Sequence, residues 1–187
     1  MNSILAYFNK PILKVSLQFG AATGIAAFLF FTGLYLVGAQ PLAGVRVLDM
    51  GIYTIMIFSG LRYFRKNYGN GLLHLWEALT MGYVITCVGA IINGWLIYLF
   101  VTYIDPAVFS DYITNALDVL TQGRKSQTSY LSDKEFLELY ETVKNNKPSI
   151  LISNEITQRL VMAIIPILVI SLILRKQDYS VLQNNKT

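Results

Sequence analysis

Few side chains in this sequence could take part in chemistry, and those few stand beside or within apolar stretches. Glu77 precedes a long uncharged run, Arg62 and Arg65 lie shortly before it, and Arg159 stands near the start of another apolar run. Ionisable groups within membrane helices are functional candidates by default. Asn93 adds a carboxamide that can form an interhelical hydrogen bond, worth about 0.6–2 kcal/mol in a membrane. These five residues are therefore our candidate functional or structural polar positions.

The charged candidates favour ion pairing over catalysis. We expect Glu77 to pair with one of the two preceding arginines, and an acidic residue in a first helical turn is also favoured by the helix dipole. A role for Glu77 in proton handling or substrate binding is the alternative. We expect Arg159 to anchor its helix near the outer interface, with Asp49 or Glu155 as partner. Glu155 stands four residues earlier, in the favourable order for a helical pair.

Motifs for catalysis or cofactor binding are missing from the sequence. One histidine and one cysteine are too few for the usual zinc sites. The phosphate-loop pattern G-x-x-x-x-G-K-[ST] and the nucleophile pattern G-x-S-x-G do not occur. We therefore expect no enzymatic activity, and we assign no catalytic, cofactor-binding or metal-binding residue.

Composition indicates the environment in which these side chains must work. The chain has 187 residues, of which 54% are hydrophobic and 14% charged, whereas an ordinary soluble domain carries about 25% charged residues. Disordered chains are poor in apolar residues, and a single cysteine excludes a disulfide-built module. The composition therefore predicts an integral membrane protein of one domain.

Four apolar runs can serve as membrane spans, because a helix needs about 20 mostly apolar residues to cross the hydrocarbon layer. The predicted spans cover residues 15–38, 48–64, 75–104 and 156–174. Charged residues near their ends can reach the interface by snorkelling. Pro166 should kink the fourth span, because proline removes a backbone donor. The small residues at 37–40 resemble a signal cleavage site, but the run before them exceeds the core of about 7–15 residues typical of signal peptides.

Basic residues predict the orientation, since lysine and arginine concentrate in short cytoplasmic flanks. The short link between the first two spans has Arg46 alone. The other short flanks hold eight basic residues, namely Lys10, Lys14, Arg62, Arg65, Lys66, Arg175, Lys176 and Lys186. We therefore expect both termini in the cytoplasm. Because the basic excess is topological, we expect no nucleic-acid partner.

One long polar segment, residues 105–155, separates the third and fourth spans. It carries eight acidic and five basic residues, a net charge of −3. One helix should follow Pro106 and end at Gly123. A second should begin at Ser132, because Glu135 three residues later completes a capping box. Both patterns are amphipathic, so these helices pack on each other as a cap, lie on the outer leaflet or hold a partner.

Small residues predict how the spans pack. Small stripes let helix backbones approach closely in lipid, and residues four apart share one helix face. The third span carries such a stripe in Ala78, Gly82, Thr86, Ala90 and Gly94, and the first span carries Gly20 and Gly24. We expect the third span to be central and to touch the first or the fourth. A groove that admits lipid or ligand, and a dimer contact, are the alternatives.

The segment 57–106 carries a family resemblance. It contains an apolar helix, a basic exit, a glycine turn, an aromatic-Glu-Ala helix start and a final Tyr-Ile-Asp-Pro. In this it resembles domain-of-unknown-function family 4199, bacterial membrane proteins with four predicted spans. Where that family often has Phe-Gly-Glu-Ala-Phe, this chain has Leu-Trp-Glu-Ala-Leu at 75–79. The matching positions are Arg62, Arg65, Gly71, Glu77, Ala78, Tyr103, Asp105 and Pro106. The resemblance implies a fold and no particular activity.

These observations predict an all-α four-helix membrane bundle with a helical extracytoplasmic insertion between the third and fourth helices. The expected function is non-enzymatic, as an accessory or scaffold subunit of a bacterial cytoplasmic-membrane assembly. The expected partners are the lipid bilayer and either another membrane protein or a second copy of the chain. The alternative is a small membrane transporter or lipid-binding protein that uses the groove of the third helix and Glu77.

Overall fold

Helices account for almost all of the described chain. The computed structural model describes residues 11–42, 44–125 and 132–176, and within those ranges it contains seven α-helices and no β-strand. A 3-10 helix (Gly44–Asp49) and a π-helical turn (Phe100–Ile104) accompany them. The α-helices are α1 (Pro11–Leu36), α2 (Met50–Asn67), α3 (Leu75–Leu99), α4 (Ala107–Lys125), α5 (Asp133–Lys144), α6 (Ile150–Met162) and α7 (Ile164–Leu174). The predicted all-α class is confirmed for this part of the chain, and Lys10 and Lys186 lie outside it.

Three helical segments are long and apolar enough to cross a membrane. They are α1, the unit Val47–Asn67 that contains α2, and α3 with its π-helical turn. Helices α6 and α7 pass the same test together as a bent pair, so the described chain offers three or four crossing segments. Helix α1 begins four residues before the predicted span, because Pro11 suits a first helical turn. Helix α2 runs three residues past its predicted span, since basic residues in a last turn interact favourably with the helix dipole.

A bend separates α6 from α7. The two helices meet at an angle of 43°, and the break falls at Ala163. Pro166 lacks the N–H that would bond the carbonyl of Met162, so the ladder opens just before the proline. The kink expected from Pro166 is therefore present. The helical stretch begins earlier than the predicted span, at Ile150 instead of residue 156.

Helix α3 lies at the centre of the packing. It contacts α1, α2, α6 and α7, with its most extensive contact on α1. Two hydrophobic clusters lie along it. One cluster joins the start of α1 to the ends of α2 and α7, through Val15, Phe64 and Leu174. The other joins the far end of α1 to α3, α4 and α6, and includes Phe31 and Leu151. We call these the basic end and the α4 end of the molecule.

Backbone hydrogen bonds hold the basic end together. The N–H groups of Leu73 and Lys176 each donate to the other's carbonyl oxygen, at 2.9 and 3.0 Å. Arg65 Nη1 donates to the carbonyl oxygen of Leu174 at 3.1 Å, at the end of α7. The turn between α2 and α3 is thereby fixed to the exit of α7.

Helices α4 and α5 form the polar segment at the other end. Gly123 was expected to end the first of them, but α4 continues to Lys125, because a glycine within a helix costs only about 1 kcal/mol. The capping box predicted for the second is confirmed. The backbone N–H of Ser132 donates to the Glu135 carboxylate at 2.8 Å, and the Ser132 hydroxyl accepts from the Glu135 backbone N–H at 3.4 Å. Arg124 joins the two helices, since it pairs with Asp133 and lies over the ring of α5's first aromatic residue, 4.3 Å from its centroid.

Candidate functional site

The most unusual group of side chains surrounds Arg159. We expected this arginine to lie near the outer interface with Asp49 or Glu155 as partner, and its side chain is only 1% exposed. Nη2 donates to Asp49 Oδ2 at 2.7 Å, and Nη1 lies 2.7 Å from Asp49 Oδ1. The two groups thus form a bidentate ion pair in which one of the two contacts is a hydrogen bond. Asp49 is therefore confirmed as a partner of Arg159, while anchoring of the helix near the outer interface stays a prediction.

Glu155 completes the neutralisation of Arg159. Arg159 Nε donates to Glu155 Oε1 at 2.9 Å, one helical turn earlier on α6. Asn93 Nδ2 on α3 donates to the same oxygen at 2.6 Å, which is the kind of interhelical bond expected of that carboxamide. The charged cluster therefore joins three elements: α3, α6 and the start of α2.

Local sequence positions explain why these groups meet. On α6 the buried residues are Leu151, Glu155 and Arg159, each four positions after the last, so that they share one face. Asp49 stands just before α2 and forms no capping hydrogen bond with that helix, which leaves its carboxylate directed at Arg159. Gly94 of α3 lets α6 approach, because a methyl group there would lie 3.3 Å from the Glu155 Cβ.

Tyr53 is a member of the cluster that sequence reasoning missed. Its ring is fully buried, and its centroid lies 5.7 Å from the Arg159 guanidinium carbon, within range of a cation–π interaction. Tyr53 follows Asp49 by four positions, so both share a face of the same helical segment. That spacing was a signal in the sequence. We define Asp49, Tyr53, Asn93, Glu155 and Arg159 as the charged cluster.

The charged cluster is expensive to bury and is held by its mutual contacts. Burying an ion costs several kcal/mol unless pairing and hydrogen bonds compensate it. All five residues are at most 1% exposed, and the contacts above engage the guanidinium on two sides. Such a cluster either locks three elements together or forms the end of a binding site.

A polar cavity adjoins the charged cluster. It has a volume of about 240 Å³, and its lining includes Glu155, Arg159, Asn154, Gln158 and Tyr112. Its walls therefore offer carboxamide and phenol groups beside the ion pair. Among the residues that the structure describes, no group of three or more histidine, cysteine, aspartate or glutamate side chains could hold a metal ion.

Glu77 lies at the other end of the molecule, away from this cluster. Its carboxylate accepts from the backbone N–H of His74 at 2.9 Å, in a capping box at the start of α3. No ion pair joins Glu77 to a described basic side chain, although one with Arg62 or Arg65 was expected. Arg62 is exposed, and Arg65 is engaged with α7. The free N–H groups of a helix start compete well for a carboxylate placed three residues after the N-cap.

The small residues of α3 lie in helix contacts. A methyl group at Gly82 would lie 2.8 Å from an Ile167 side-chain carbon on α7, and Gly94 faces α6 as described above. Ala78, Thr86 and Ala90 are fully buried. Gly82 and Gly94 therefore face α7 and α6, which fill the space beside them.

The glycines of α1 face α3 in the same manner. A methyl group at Gly20 would lie 2.8 Å from Val88 Cβ, and one at Gly24 would lie 2.8 Å from the carbonyl oxygen of Gly89. Glycine is required at Gly24, because no backbone oxygen tolerates a carbon so close. Helix α3 thus touches both α1 and the bent pair.

Comparison with known proteins identifies a family. A family model described as "Protein of unknown function (DUF4199)" matches residues 18–176, which is most of the chain. The chain therefore belongs to this family, in agreement with the resemblance carried by its sequence. No curated protein and no solved structure gives a significant match.

Proposed function

We propose that this member of the DUF4199 family is a non-enzymatic protein of the bacterial cytoplasmic membrane that acts as an accessory or scaffold subunit of a larger assembly. The observation that carries the proposal is the half-covered apolar surface of α4 and α5. Among the side chains described in those helices, only Val108 is buried. Both helices are amphipathic, and an amphipathic face needs cover. Leu137 of α5 and Val119 of α4 are 59% and 69% exposed, so the segment offers apolar surface to a membrane-protein partner.

The proposal includes a topology of four spans, with α6 and α7 together forming the fourth. Both termini would lie in the cytoplasm, and α4 and α5 would form an extracytoplasmic insertion between the third and fourth spans. Basic residues support this orientation, because Arg62, Arg65, Lys66, Arg175 and Lys176 all lie near the basic end. Lysine and arginine favour cytoplasmic flanks.

Cysteine labelling tests the topology. In a Cys87→Ser background, a cysteine at Gly123 should react with an impermeant maleimide on intact spheroplasts. A matched cysteine at Asn70, in the exposed turn between α2 and α3, should react only after the membrane is opened. The reverse pattern would invert the orientation and would place the half-covered helices in the cytoplasm.

The charged side chains support a non-enzymatic role. Arg159 and Glu155 interact with each other and with neighbouring helices, and Glu77 caps α3. Groups that are already engaged in structural contacts need to be released before they can transfer protons or attack a substrate. This arrangement favours stability and assembly over chemistry.

The alternative, a small transporter or lipid-binding protein that uses the groove of α3 and Glu77, has weaker support. Side chains of α6 and α7 fill the space beside Gly82 and Gly94. Glu77 is bound to the backbone at the start of α3. A path for solute along that stripe would require α6 and α7 to move away from α3.

Site-specific crosslinking tests the scaffold role. A photo-crosslinking residue placed at Leu137 should give a discrete protein adduct in living cells, and the same partner should copurify in stoichiometric amount in mild detergent. The matched control is Leu29 of α1, which is 65% exposed and faces lipid in the proposed topology. It should give no such adduct. An adduct with the mass of two chains would indicate a homodimer, and an absence of protein adducts at Leu137 would contradict the proposal.

A further inference from the structure

We propose that the α4 end contains a binding site for an uncharged, hydroxyl-bearing, single-chain amphiphile. The site consists of the polar cavity beside the charged cluster and an apolar cleft that adjoins it. Tyr112 of α4 lines both spaces. This inference goes beyond the scaffold role, and its route of ligand entry rests on the proposed topology.

The apolar cleft lies between α4, α5 and the link that follows α1. Its volume is about 800 Å³, and its lining includes Leu42, Ala116, Val119, Leu120 and Val143. Ligand pockets typically measure about 300–1,000 Å³ and are mostly apolar, with a few convergent polar groups. The cleft has the size and the surface expected for an aliphatic chain.

The polar cavity provides the few convergent groups. Asn154 and Gln158 contribute carboxamides that both donate and accept hydrogen bonds. Glu155 and Arg159 form its buried wall, and each is 1% exposed. Because contacts with α2 and α3 hold these two side chains in place, they fix the orientation of a bound ligand.

The two spaces are adjacent, which indicates the shape of the ligand. They share Leu42, Gly44 and Tyr112 as lining residues, so a molecule with its chain in the cleft can place its head in the cavity. Leu42 and Gly44 belong to the link between two apolar helices, so the cleft opens where the chain leaves the hydrocarbon layer in the proposed topology. An amphiphile has access to such a site directly from the membrane.

The charges on the lining indicate the kind of head. Arg159 already faces the carboxylates of Asp49 and Glu155, so it has little attraction left for an anionic head. Asp118 adds a further carboxylate to the cleft. The polar cavity itself is lined by one carboxylate, Glu155, and one guanidinium, Arg159, which bind each other, so its lining offers no net charge to a cationic head. Hydroxyl groups match the carboxamides and the phenol without disturbing the ion pair, since they donate and accept in turn.

Competition between three probes with the same chain tests the head preference. Native mass spectrometry of the purified full chain, with equimolar monolauroylglycerol, laurate and lauryl trimethylammonium, should show monolauroylglycerol as the dominant adduct with one molecule bound. Equal occupancy by all three would indicate nonspecific adsorption, and dominance of either charged probe would overturn the proposed head chemistry.

Two variants test where the aliphatic chain of the ligand binds. Ala116→Trp would fill the cleft from α4, and Val143→Trp would fill it from α5, so both should lower monolauroylglycerol occupancy at least tenfold. Ser110→Trp, at an exposed position on α4 outside the cleft, is the matched control and should bind as the unmodified chain does. Circular dichroism identifies a variant that has lost its helices. The binding measured for the other variant then tests the site. Undiminished binding in a folded cleft variant would refute the site.

A third variant locates the head. Gln158→Leu removes one carboxamide and should weaken the binding of monolauroylglycerol about fivefold, the effect of one hydrogen bond. The binding of laurate should stay unchanged. An equal loss for both probes would place the head elsewhere. A copurifying peptide that disappears in Ala116→Trp would identify a protein segment as the occupant and would overturn the proposal.

Discussion

Removal of Arg159 should destabilise the protein more than removal of any other single charge. Its guanidinium lies 2.7 Å from each Asp49 oxygen and 2.9 Å from Glu155, with all three side chains about 1% exposed. Arg159→Met keeps much of the side-chain volume but deprives two buried carboxylates of their shared cation. Breaking a buried pair in this way costs about 3–5 kcal/mol. Because two carboxylates are affected, we expect a value near the upper end of that range.

A matched set of variants separates pairing from packing. Arg62→Met removes an exposed arginine and should change the free energy of unfolding by less than about 0.5 kcal/mol. Arg159→Lys keeps the charge but loses the bidentate geometry. Its loss of unfolding free energy should therefore lie between those of Arg62→Met and Arg159→Met. The triple variant Asp49→Asn, Glu155→Gln, Arg159→Met has no buried ions at these positions and should recover most of the lost stability.

Equilibrium unfolding provides the measurement. Each variant is purified in the same micelles and titrated with a denaturing detergent, while circular dichroism follows its helix content. The reasoning would be refuted if Arg159→Met cost less than about 1 kcal/mol, or if the triple variant were as unstable as the single one. The second result would mean that volume and shape, not charge pairing, hold these three elements together.

Three further predictions follow from other contacts. Gly24→Ala should cost about 1–3 kcal/mol in the same titration, because its methyl group would press on a backbone oxygen of α3; Gly33→Ala, at an open position, should be neutral or stabilising. Hydrogen bonds from Ser132 hold the pKa of the Glu135 carboxyl below its ordinary value, so this carboxylate stabilises α5 above its unfolded-state pKa and loses that effect as pH falls through the lowered pKa. The protection factors of the α5 amides, which correct for the intrinsic pH dependence of exchange, should therefore fall on acidification, and Glu135→Gln should flatten that dependence. Pro166→Ala restores a backbone donor, so spin labels in α6 and α7 should move further apart; an unchanged distance would assign the bend to packing alone.

The spacing of apolar and polar residues, together with the composition, made much of the fold predictable. The apolar runs located α1, α2 and α3, the Ser132–Glu135 spacing located the start of α5, and Pro166 located the bend. The ends of helices were less predictable, because hydropathy reports where charge begins and not where hydrogen bonding stops. Helix α2 therefore continues through two basic residues, and α4 continues through Gly123.

The candidate site was predictable in its members but not in its position. Arg159 and Asn93 drew attention as polar groups in apolar runs, and Asp49 and Glu155 were considered as partners of Arg159. Their burial could not be deduced, because a charge one turn inside a helix can equally snorkel to the interface. Whether the charged side chain is buried or extends to the interface depends on whether a partner from a distant helix reaches the same depth. Tyr53 was missed for the same reason, since an aromatic residue near a helix start also suits the membrane interface.

The contact between Asp49 and Arg159 joins residues 110 positions apart, and this separation bears on biogenesis. In the proposed topology, α6 would leave the ribosome long after α2 and α3 have entered the bilayer. An arginine near the centre of an inserting helix raises its insertion free energy by about 2.5–3.5 kcal/mol, and Glu155 adds a second charge to the same segment. Asp49 and Asn93 are in place by then to receive both charges. In the proposed topology, docking on these earlier residues would therefore assist the entry of the α6–α7 pair into the bilayer.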